Sequence, residues 1–351
     1  MELFTKKRSY LGVDLGTGSI KVVELTNVGG QARLETYGFA ELPAGDSKLN
    51  AHEKLERTAA TLSEICTKAR VKSLKAVAAL PTFSVFSSLL NLPLMSESEV
   101  GQALAYEAKK IVPLPLDEMI LDWKILSAQA ANPMKREKTM RVLLTAAPKN
   151  LVKQYLEIFR LAKIEILSLE TEAFALGRAL LGLEPAVALL VDVGALTTDV
   201  AVVDEHIPVL NRSIDVGGVT VTKAIAQSLN IDIKRAEQFK RDVGLQLSGS
   251  STTAVPKIIE ATLGPIVNEV KYAISLYQAE SAKSIEKIVI TGGSAFLPQL
   301  TQYLENVFQL KVFIGNPWSQ VACPVDLKGV LDEIGPRFAT AIGLALREIH
   351  K

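Results

Sequence analysis

The sequence has few of the residues that mark several common classes of protein. Among 351 residues there are 2 cysteines and 3 histidines, and Cys66 and Cys323 have the spacing of neither a metal site nor a redox pair. No run of 18 apolar residues occurs, and no apolar segment follows the basic residues 6–8, so we predict neither a membrane-spanning helix nor a secretory signal. We expect a soluble, cytoplasmic chain whose cysteines are small core residues.

An excess of charge of one sign is also absent. The 39 lysines and arginines nearly balance the 38 aspartates and glutamates, which gives a net charge of +1. No overall field therefore favours nucleic acid or an anionic membrane surface as a partner. What the chain has in quantity is apolar residues, at 48%, and more length than one compact core needs, so two lobes are predicted.

One short element occurs twice. Residues 11–25 read LGVDLGTGSIKVVEL and residues 189–205 read LLVDVGALTTDVAVVDE, so that Asp14 aligns with Asp192. The β-branched residues after the first glycine turn predict a second strand rather than a helix, which argues against a dinucleotide-binding motif, and no P-loop motif occurs. Each copy is predicted as a β-hairpin preceded by an aspartate. A hairpin turn with no ligand is the alternative.

Two such hairpins could hold a polyphosphate from both sides if the lobes face each other. Glycine turns let backbone amides approach an anion closely, and Lys21 would offset phosphate charge. Two carboxylates beside a triphosphate repel it unless a cation lies between them, so Asp14 and Asp192 are predicted to hold Mg²⁺ through water. The predicted phosphate-binding residues are Gly16, Thr17, Gly18, Ser19, Lys21, Gly194 and Thr197.

A third glycine turn, ITGGSAFLP at residues 290–298, follows a predicted strand. Its two glycines would let a base or ribose lie against the backbone, and an ordinary turn between strand and helix is the alternative. The candidate residues here are Gly292, Gly293, Ser294 and Phe296. Glu237 and Lys240, three apart on a predicted helix, would contact ribose and base or else form a solvated face.

Residues 83–148 differ from the rest of the chain in their pattern of predicted elements. They read as a strand, a helix opened by a capping box of Ser96 and Glu99, and two strands separated by the polar loop 131–138, which predicts a small α+β subdomain inserted into the first lobe. The predicted divisions are 1–82 and 149–185 for the first lobe, 83–148 for the insertion, 186–334 for the second lobe and 335–351 for the last helix.

Five segments, in order, resemble the motifs of the actin-like ATPase superfamily. They are DLGTGSIK (14–21), the helix after LSLE (167–170), DVGALTTD (192–199), TGGSAFLP (291–298) and GPRFATAIGLAL (335–346). They resemble the phosphate 1, connect 1, phosphate 2, adenosine and connect 2 motifs. Within the superfamily the chain is most similar to the PilM family of type IV pilus assembly proteins, through its insertion and the run PLPLDE, and next to the FtsA family of cell division proteins.

The resemblance implies an α/β, ribonuclease H-like duplicated fold of two lobes, with ATP and Mg²⁺ in the cleft and a hinge at connect 1 and connect 2. Glu170, at the start of connect 1, would act with Asp192 in catalysis by orienting the metal or water, and Glu172 is the alternative to Glu170. Further residues that the resemblance places at the nucleotide are Gly218, Thr220, Glu237 and Lys240.

PilM family members bind the N-terminal cytoplasmic tail of the single-span membrane protein PilN, in a groove between the first lobe and the insertion. The resemblance therefore implies a scaffold at the cytoplasmic face of the inner membrane, active in pilus biogenesis and twitching motility. It would contact other pilus platform proteins and further copies of itself. Candidate groove residues are Leu92, Leu94, Val100, Leu104 and Ile111, although their helical spacing favours core packing.

The second copy of the repeated element departs from the superfamily pattern at Ala195 and Leu196. Leucine adopts positive φ only at a cost, so we predict slow ATP hydrolysis at most. A small-molecule kinase of the same fold is an alternative that would need a catalytic aspartate and sugar-binding loops. An FtsA-like filament protein is the other, and the end of the sequence directly after connect 2 argues against it, because FtsA carries a membrane-binding tail there.

Overall fold

The computed structural model describes residues 8–42, 50–130, 138–246 and 254–350. The first lobe and the insertion contain β1 (Ser9–Leu15), β2 (Ser19–Val28), β3 (Gln31–Glu41), α1 (Ala51–Lys68), β4 (Lys75–Leu80), β5 (Phe86–Pro93), α2 (Glu97–Ile111), β6 (Met119–Ala130), β7 (Lys138–Pro148), α3 (Lys149–Leu161), β8 (Glu165–Thr171) and α4 (Glu172–Leu181). The basic residues 6 and 7 and most of the predicted polar loop lie outside the described residues.

The second lobe follows, and the chain then returns to the first. The elements are β9 (Ala188–Val193), β10 (Thr198–Asp204), β11 (Ile207–Ile214), α5 (Gly218–Leu229), α6 (Ile233–Val243), α7 (Ala254–Glu280), β12 (Lys287–Thr291), α8 (Leu300–Phe308), β13 (Lys311–Ile314), β14 (Val321–Ala322) and α9 (Lys328–Leu346). None of the described helices is long and apolar enough to cross a bilayer.

Two central sheets are built on the same plan. The first-lobe sheet has the order β14-β3-β2-β1-β4-β8, and the second-lobe sheet has the order β11-β10-β9-β12-β13. In each, an antiparallel hairpin is joined to parallel strands: β1 pairs with β2 and β4, and β9 pairs with β10 and β12. Apolar residues fill both faces of these strands because helices cover both sides of the sheets. The predicted duplicated two-lobed fold is confirmed.

The hairpins of the two sheets have the same register. Asp14 lies opposite Lys21 across the first, and Asp192 lies opposite Asp199 across the second. Directly paired residues project to the same face of a sheet. Each hairpin therefore presents its aspartate beside a charged partner, positive in the first lobe and negative in the second.

The insertion is a three-stranded sheet, β5-β7-β6, covered on one face by α2. The main-chain N–H of Ser96 donates to the Glu99 carboxylate at 2.8 Å, so the predicted capping box is present. Three of the five candidate groove residues, Leu92, Val100 and Leu104, are buried in the core between α2 and the sheet, as their helical spacing favoured. Of the other two, Leu94 is exposed, while Ile111 packs at the edge of that core.

Helix α9 crosses α4 and connects the lobes. The sequence interpretation placed this helix at residues 335–351, whereas it begins at Lys328 and Pro336 lies inside it. Proline has no N–H to donate to the preceding turn, but its carbonyl accepts hydrogen bonds from Gly292 N at 3.0 Å and Thr291 Oγ1 at 2.9 Å. The proline thus marks the point where α9 meets the second lobe, not a helix start.

Candidate functional site

The first hairpin places a cation beside a buried carboxylate. Lys21 Nζ lies 2.8 Å from Asp14 Oδ2, and Asp14 is only 6% exposed. A side chain at Gly16 would approach both groups, because a Cβ built there would lie 3.3 Å from Lys21 Nζ and 3.6 Å from Asp14 Oδ1. Glycine at this turn therefore keeps the space beside the ion pair free of a side chain, and its role in binding phosphate stays a prediction.

The tips of the two hairpins meet across the cleft. A Cβ on Gly18 would clash with the methyl group of Ala195. In the second turn, Gly194 N donates to Thr197 O at 3.0 Å, which closes a tight turn around Ala195 and Leu196. The structure thus brings together the predicted residues of both copies and holds them on facing sides of one cleft.

Three carboxylates from the two lobes, Asp192, Glu172 and Asp199, are near enough to one another beside the hairpins to shift each other's pKa. Burial raises the pKa of Asp192 to about 7, and the charges of Glu172 and Asp14 act in the same direction, whereas Lys21 opposes them. Burial and the charge of Asp199 raise the pKa of Glu172. Burial raises the pKa of Asp199 too, with the charge of Asp192 adding to it. Carboxylates that share a poorly solvated site repel one another, which favours uptake of a cation.

Glu170 does not join this group of carboxylates. It is held by Arg178, whose Nη1 lies 2.8 Å from Glu170 Oε1, and by Arg347, whose Nε lies 3.2 Å from Oε2. Arg178 also donates to the carbonyl oxygen of Gly343, so the cluster ties α4 to α9. Glu172, two residues further on, is the connect 1 carboxylate that faces Asp192, and it replaces Glu170 as the candidate for orienting water or metal.

The glycines of the second lobe pack closely around the cleft. A Cβ on Gly218 would lie 2.6 Å from Ser294 Oγ and 3.4 Å from Lys240 Nζ. Gly292 has φ +88°, which disfavours any residue with a side chain, and a Cβ there would collide with the carboxylate of Asp192. The third glycine turn and the entry to α5 therefore form one surface with the second hairpin.

Glu237 and Lys240 form an ion pair, with Lys240 Nζ 2.7 Å from Glu237 Oε2. Lys240 is 8% exposed and also donates to Gly218 O at 3.2 Å and to Thr222 Oγ1 at 3.0 Å. Burial lowers the pKa of Lys240. The pair is therefore not a solvated face. It fixes α6 against the glycine entry of α5. Phe296, in the third glycine turn, is half-exposed.

The donor set fits a magnesium ion only if a ligand completes it. In the described part of the chain no three His, Cys, Asp or Glu side chains are close enough together to hold a metal ion. Asp14 and Asp192 face the same cleft, where the charge of Asp14 raises the pKa of Asp192. Magnesium usually keeps several waters and shares phosphate oxygens with one or two carboxylates. These residues would therefore hold Mg²⁺ through water and the phosphates of a nucleotide.

Sequence reasoning missed three residues of this site. Asp199 had a readable signal, because it occupies in the second copy the position that Lys21 occupies in the first. Thr222 donates to Glu237 Oε2 at 2.6 Å, and Thr82 donates to Glu172 Oε2 at 2.8 Å. These two threonines lie in no motif, and only the tertiary fold brings them to the cleft.

Comparison with known families decides the relationship. The sequence model of the family described as type IV pilus assembly protein PilM matches residues 12–349. The chain belongs to the PilM family. A solved PilM–PilN type IV pilus biogenesis complex contains a chain that is 26% identical to this one, with a TM-score of 0.83, and the match covers 97% of this chain and 99% of the other. The resemblance found in the sequence is confirmed.

More distant relatives share parts of the chain or the fold alone. The cell division protein FtsA of Pseudomonas aeruginosa is 28% identical over 183 residues, which cover 46% of this chain and 42% of the relative, and FtsA of Neisseria meningitidis is 26% identical over 176 residues. The chain thus spans less than half the length of the curated relatives it matches. MreB 5 of Spiroplasma citri, solved with AMPPNP, is 16% identical over 96% of this chain and 94% of its own, with a TM-score of 0.54, so it shares the fold.

Proposed function

We propose that this chain is an ATP- and Mg²⁺-binding scaffold of the type IV pilus assembly platform, in which nucleotide binding controls affinity for the N-terminal tail of a PilN-type membrane protein. The observation that carries the proposal is the facing pair of hairpins, with a buried Asp14–Lys21 ion pair on one side and the Asp192–Asp199 pair on the other. Carboxylates that outnumber the neighbouring cations, at a cleft lined by glycines, favour a ligand that contains a metal ion and a polyphosphate.

The phosphate-binding roles would be unequal. The first hairpin supplies a lysine and an open glycine turn, whereas the second supplies Ala195 and Leu196, the latter 46% exposed. Lys21 would exchange part of its contact with Asp14 for phosphate oxygens, and the backbone amides near Gly18 would bind further oxygens. Bound Mg²⁺ would screen the phosphate charge from Asp14 and Asp192. The second-lobe glycines and the Glu237–Lys240 pair would support ribose and base.

Hydrolysis would be slow. Phosphoryl transfer to water needs a group that positions the water, in addition to charge stabilisation. Glu172 is the candidate for that role, because it is held beside Asp192 and Asp199. The second turn lacks the acidic residue and glycine that many superfamily members place over the terminal phosphate. We therefore propose that ATP serves mainly to hold the lobes closed.

The partner is inferred from the PilM–PilN complex, whose PilM-like chain aligns with nearly the whole of this one. A preformed groove beside the insertion would take the tail as an extended or helical peptide. Binding to such a tail would place the chain at the cytoplasmic face of the inner membrane, although none of its described helices could cross a bilayer.

A pull-down from detergent-treated membranes tests this function. The purified chain is used as bait, once with Mg²⁺ and ATP and once with EDTA and no nucleotide, and the captured proteins are identified by mass spectrometry. We expect a PilN-type protein whose recovery differs between the two conditions. The local similarity to FtsA makes an FtsA-like division protein the second candidate, and recovery of division proteins alone would favour it over our proposal.

A further inference from the structure

Thr82 lies where the chain leaves the first lobe for the insertion. It follows Pro81 at the end of β4, and residues Thr82–Ser84 form a single 3₁₀ turn before β5 begins. Ser84 N donates to Pro81 O at 3.0 Å, and Val85 N donates to Thr82 O at 3.3 Å. Proline fixes its own φ and restricts the residue before it, so this junction is a stiff connection and not a free linker.

Both donors of Thr82 bind one oxygen of the cleft carboxylate. Thr82 N and Thr82 Oγ1 each lie 2.8 Å from Glu172 Oε2. Glu172 is the first residue of α4, far away in sequence, and it faces Asp199 and Asp14. Because both hydrogen bonds fix Oε2, they also set the direction in which the other oxygen, Oε1, points. The direction of the Glu172 carboxylate is therefore set by the residue at which the insertion is attached.

The same junction also touches the second lobe. The 3₁₀ turn and strand β5 both pack against β11, and the Thr82 hydroxyl is close enough to Asp199 to lower the pKa of that carboxyl. The first lobe, the insertion and the second lobe thus meet around a single threonine. A displacement of the insertion that moves the 3₁₀ turn changes the geometry of the Thr82–Glu172 bonds, and hydrogen bonds weaken steeply with distance and angle.

We propose that Thr82 is a positioning residue that couples the insertion to the nucleotide cleft through the Glu172 carboxylate. This inference rests on the proposed function, since it needs a nucleotide in the cleft and a partner tail against the insertion. Tail binding shifts the insertion, and the two hydrogen bonds of Thr82 carry this shift to Glu172. The affinity of the cleft for nucleotide then changes. By linkage, the nucleotide changes the affinity for the tail by the same factor as the tail changes the affinity for the nucleotide.

Calorimetry on three variants tests the coupling. The N-terminal peptide of a PilN-type protein from the same organism is titrated into the full chain, without nucleotide and with saturating Mg²⁺–AMPPNP, and the ratio of the two Kd values is the coupling factor. T82V removes the hydroxyl and keeps the shape, and T82S restores the hydroxyl. T36V is the matched control, because Thr36 Oγ1 donates to Ala69 O at 2.7 Å in the first lobe without contacting the cleft residues.

We expect T82V to lose most of the effect of nucleotide on peptide affinity, so that a coupling factor of about tenfold falls to about twofold. T82S and T36V should keep the wild-type factor. If T82V keeps it as well, the inference is wrong and the proposed function stands. If the wild-type chain binds nucleotide and peptide with a coupling factor of one, nucleotide control and this inference both fail.

Discussion

At the scale of single residues, the cleft has too few cations to balance the charge of its carboxylates. Lys21 is the cation that faces Asp14, and its charge also lowers the pKa of Asp192. A metal–nucleotide ligand would bring the missing positive charge and would add phosphates that Lys21 can bind. Lysine at this position therefore has two roles, one in the free protein and one in the complex.

Replacing Lys21 by methionine should weaken Mg²⁺–ATP binding by about tenfold or more, because phosphate loses a charged donor and the buried Asp14 is left unpaired. Lys72→Met is the control, since Lys72 is exposed and lies 3.8 Å from Glu35. Calorimetric Kd values measure the effect. Equal Kd values for the wild type and Lys21→Met would remove the first hairpin from the binding site.

Gly18 should tolerate no side chain. A Cβ there would clash with Ala195 on the opposite hairpin, whereas a Cβ on Gly329 meets no atom within 4 Å. We expect Gly18→Ala to hold the lobes apart and to raise the Kd for Mg²⁺–ATP by about tenfold, since overpacking of about 1–3 kcal/mol is usual at such contacts. Gly329→Ala should bind like the wild type. An unchanged Kd for Gly18→Ala would mean that the hairpin tips separate in the complex.

The carboxylates should make the ligand-free chain less stable at high pH. The pKa of Asp192 is raised to about 7, above about 3.9 in an unfolded chain. The folded state therefore binds a proton that the unfolded state has released, so the free energy of unfolding falls as the pH rises from about 4 to about 7. Glu172 and Asp199 are shifted in the same direction.

Thermal unfolding in EDTA at pH 5.5 and pH 8 measures this effect. We expect a lower Tm at pH 8, by an amount equivalent to about 1–2 kcal/mol. Asp192→Asn should reduce the difference, and the exposed control Asp326→Asn should not. A Tm that rises between pH 5.5 and pH 8 in the wild type would show that these carboxylates are better solvated than the structure indicates.

Some residues of the site could be proposed from the sequence and others could not. The glycines and Lys21 could be proposed from the sequence, because the requirements of a phosphate turn are local and leave a sequence pattern; their role at the site stays a prediction. The sequence interpretation preferred Glu170 to Glu172. The two lie on either side of the junction between β8 and α4, and only the fold shows that Glu172 is the one near Asp192. Thr82 left no pattern at all, since its partner is reached only through tertiary structure.

At the scale of secondary structure elements, the molecule depends on close contacts between α9 and its neighbours. A Cβ on Gly12 would collide with the backbone of α9, and a Cβ on Gly343 would collide with the carbonyl of Ala175 in α4. Glycine at these positions lets two helices and a strand approach backbone to backbone. The crossing of α4 and α9, where the family resemblance implies a hinge, is therefore tightly packed.

Gly343→Ala should destabilise the chain by about 2–4 kcal/mol, because the added methyl group has only backbone atoms to displace. Gly264→Ala in α7 is the matched control, since a Cβ there meets nothing within 4 Å, and it should stabilise the helix by up to about 1 kcal/mol. Urea unfolding followed by circular dichroism compares the two. Equal midpoints for Gly343→Ala and the wild type would contradict the packed crossing.

Secondary structure elements were predicted best where the sequence has a regular spacing of apolar residues or a repeated motif. The two hairpins were aligned by their aspartates, and the observed registers match that alignment. The start of α9 was predicted too late, because proline usually marks the first turn of a helix. The carbonyl of Pro336 accepts a hydrogen bond from β12, and this contact, which gives a proline inside the helix a role, cannot be read from the sequence. The residue bounds given to the lobes and the insertion stay a prediction.

At the scale of the whole molecule, two lobes of similar plan are joined at α4 and α9 and face each other across the hairpins. The insertion is attached beside the cleft, through Thr82 on one side and Pro148 on the other. A ligand that binds both hairpins would favour the closed arrangement in proportion to its difference in affinity for the two states. We propose that this ligand is Mg²⁺–ATP.

Calorimetric titration of Mg²⁺–ATP into the wild-type chain tests that claim most directly, with an EDTA titration and Lys21→Met as comparisons. We predict one site per chain, loss of affinity in EDTA, and a weaker site in Lys21→Met. Nucleotide at 100 times Kd should also stabilise the chain by about 2.7 kcal/mol, seen as a higher Tm. No heat of binding and no change in Tm at millimolar Mg²⁺–ATP would contradict nucleotide binding at the paired hairpins.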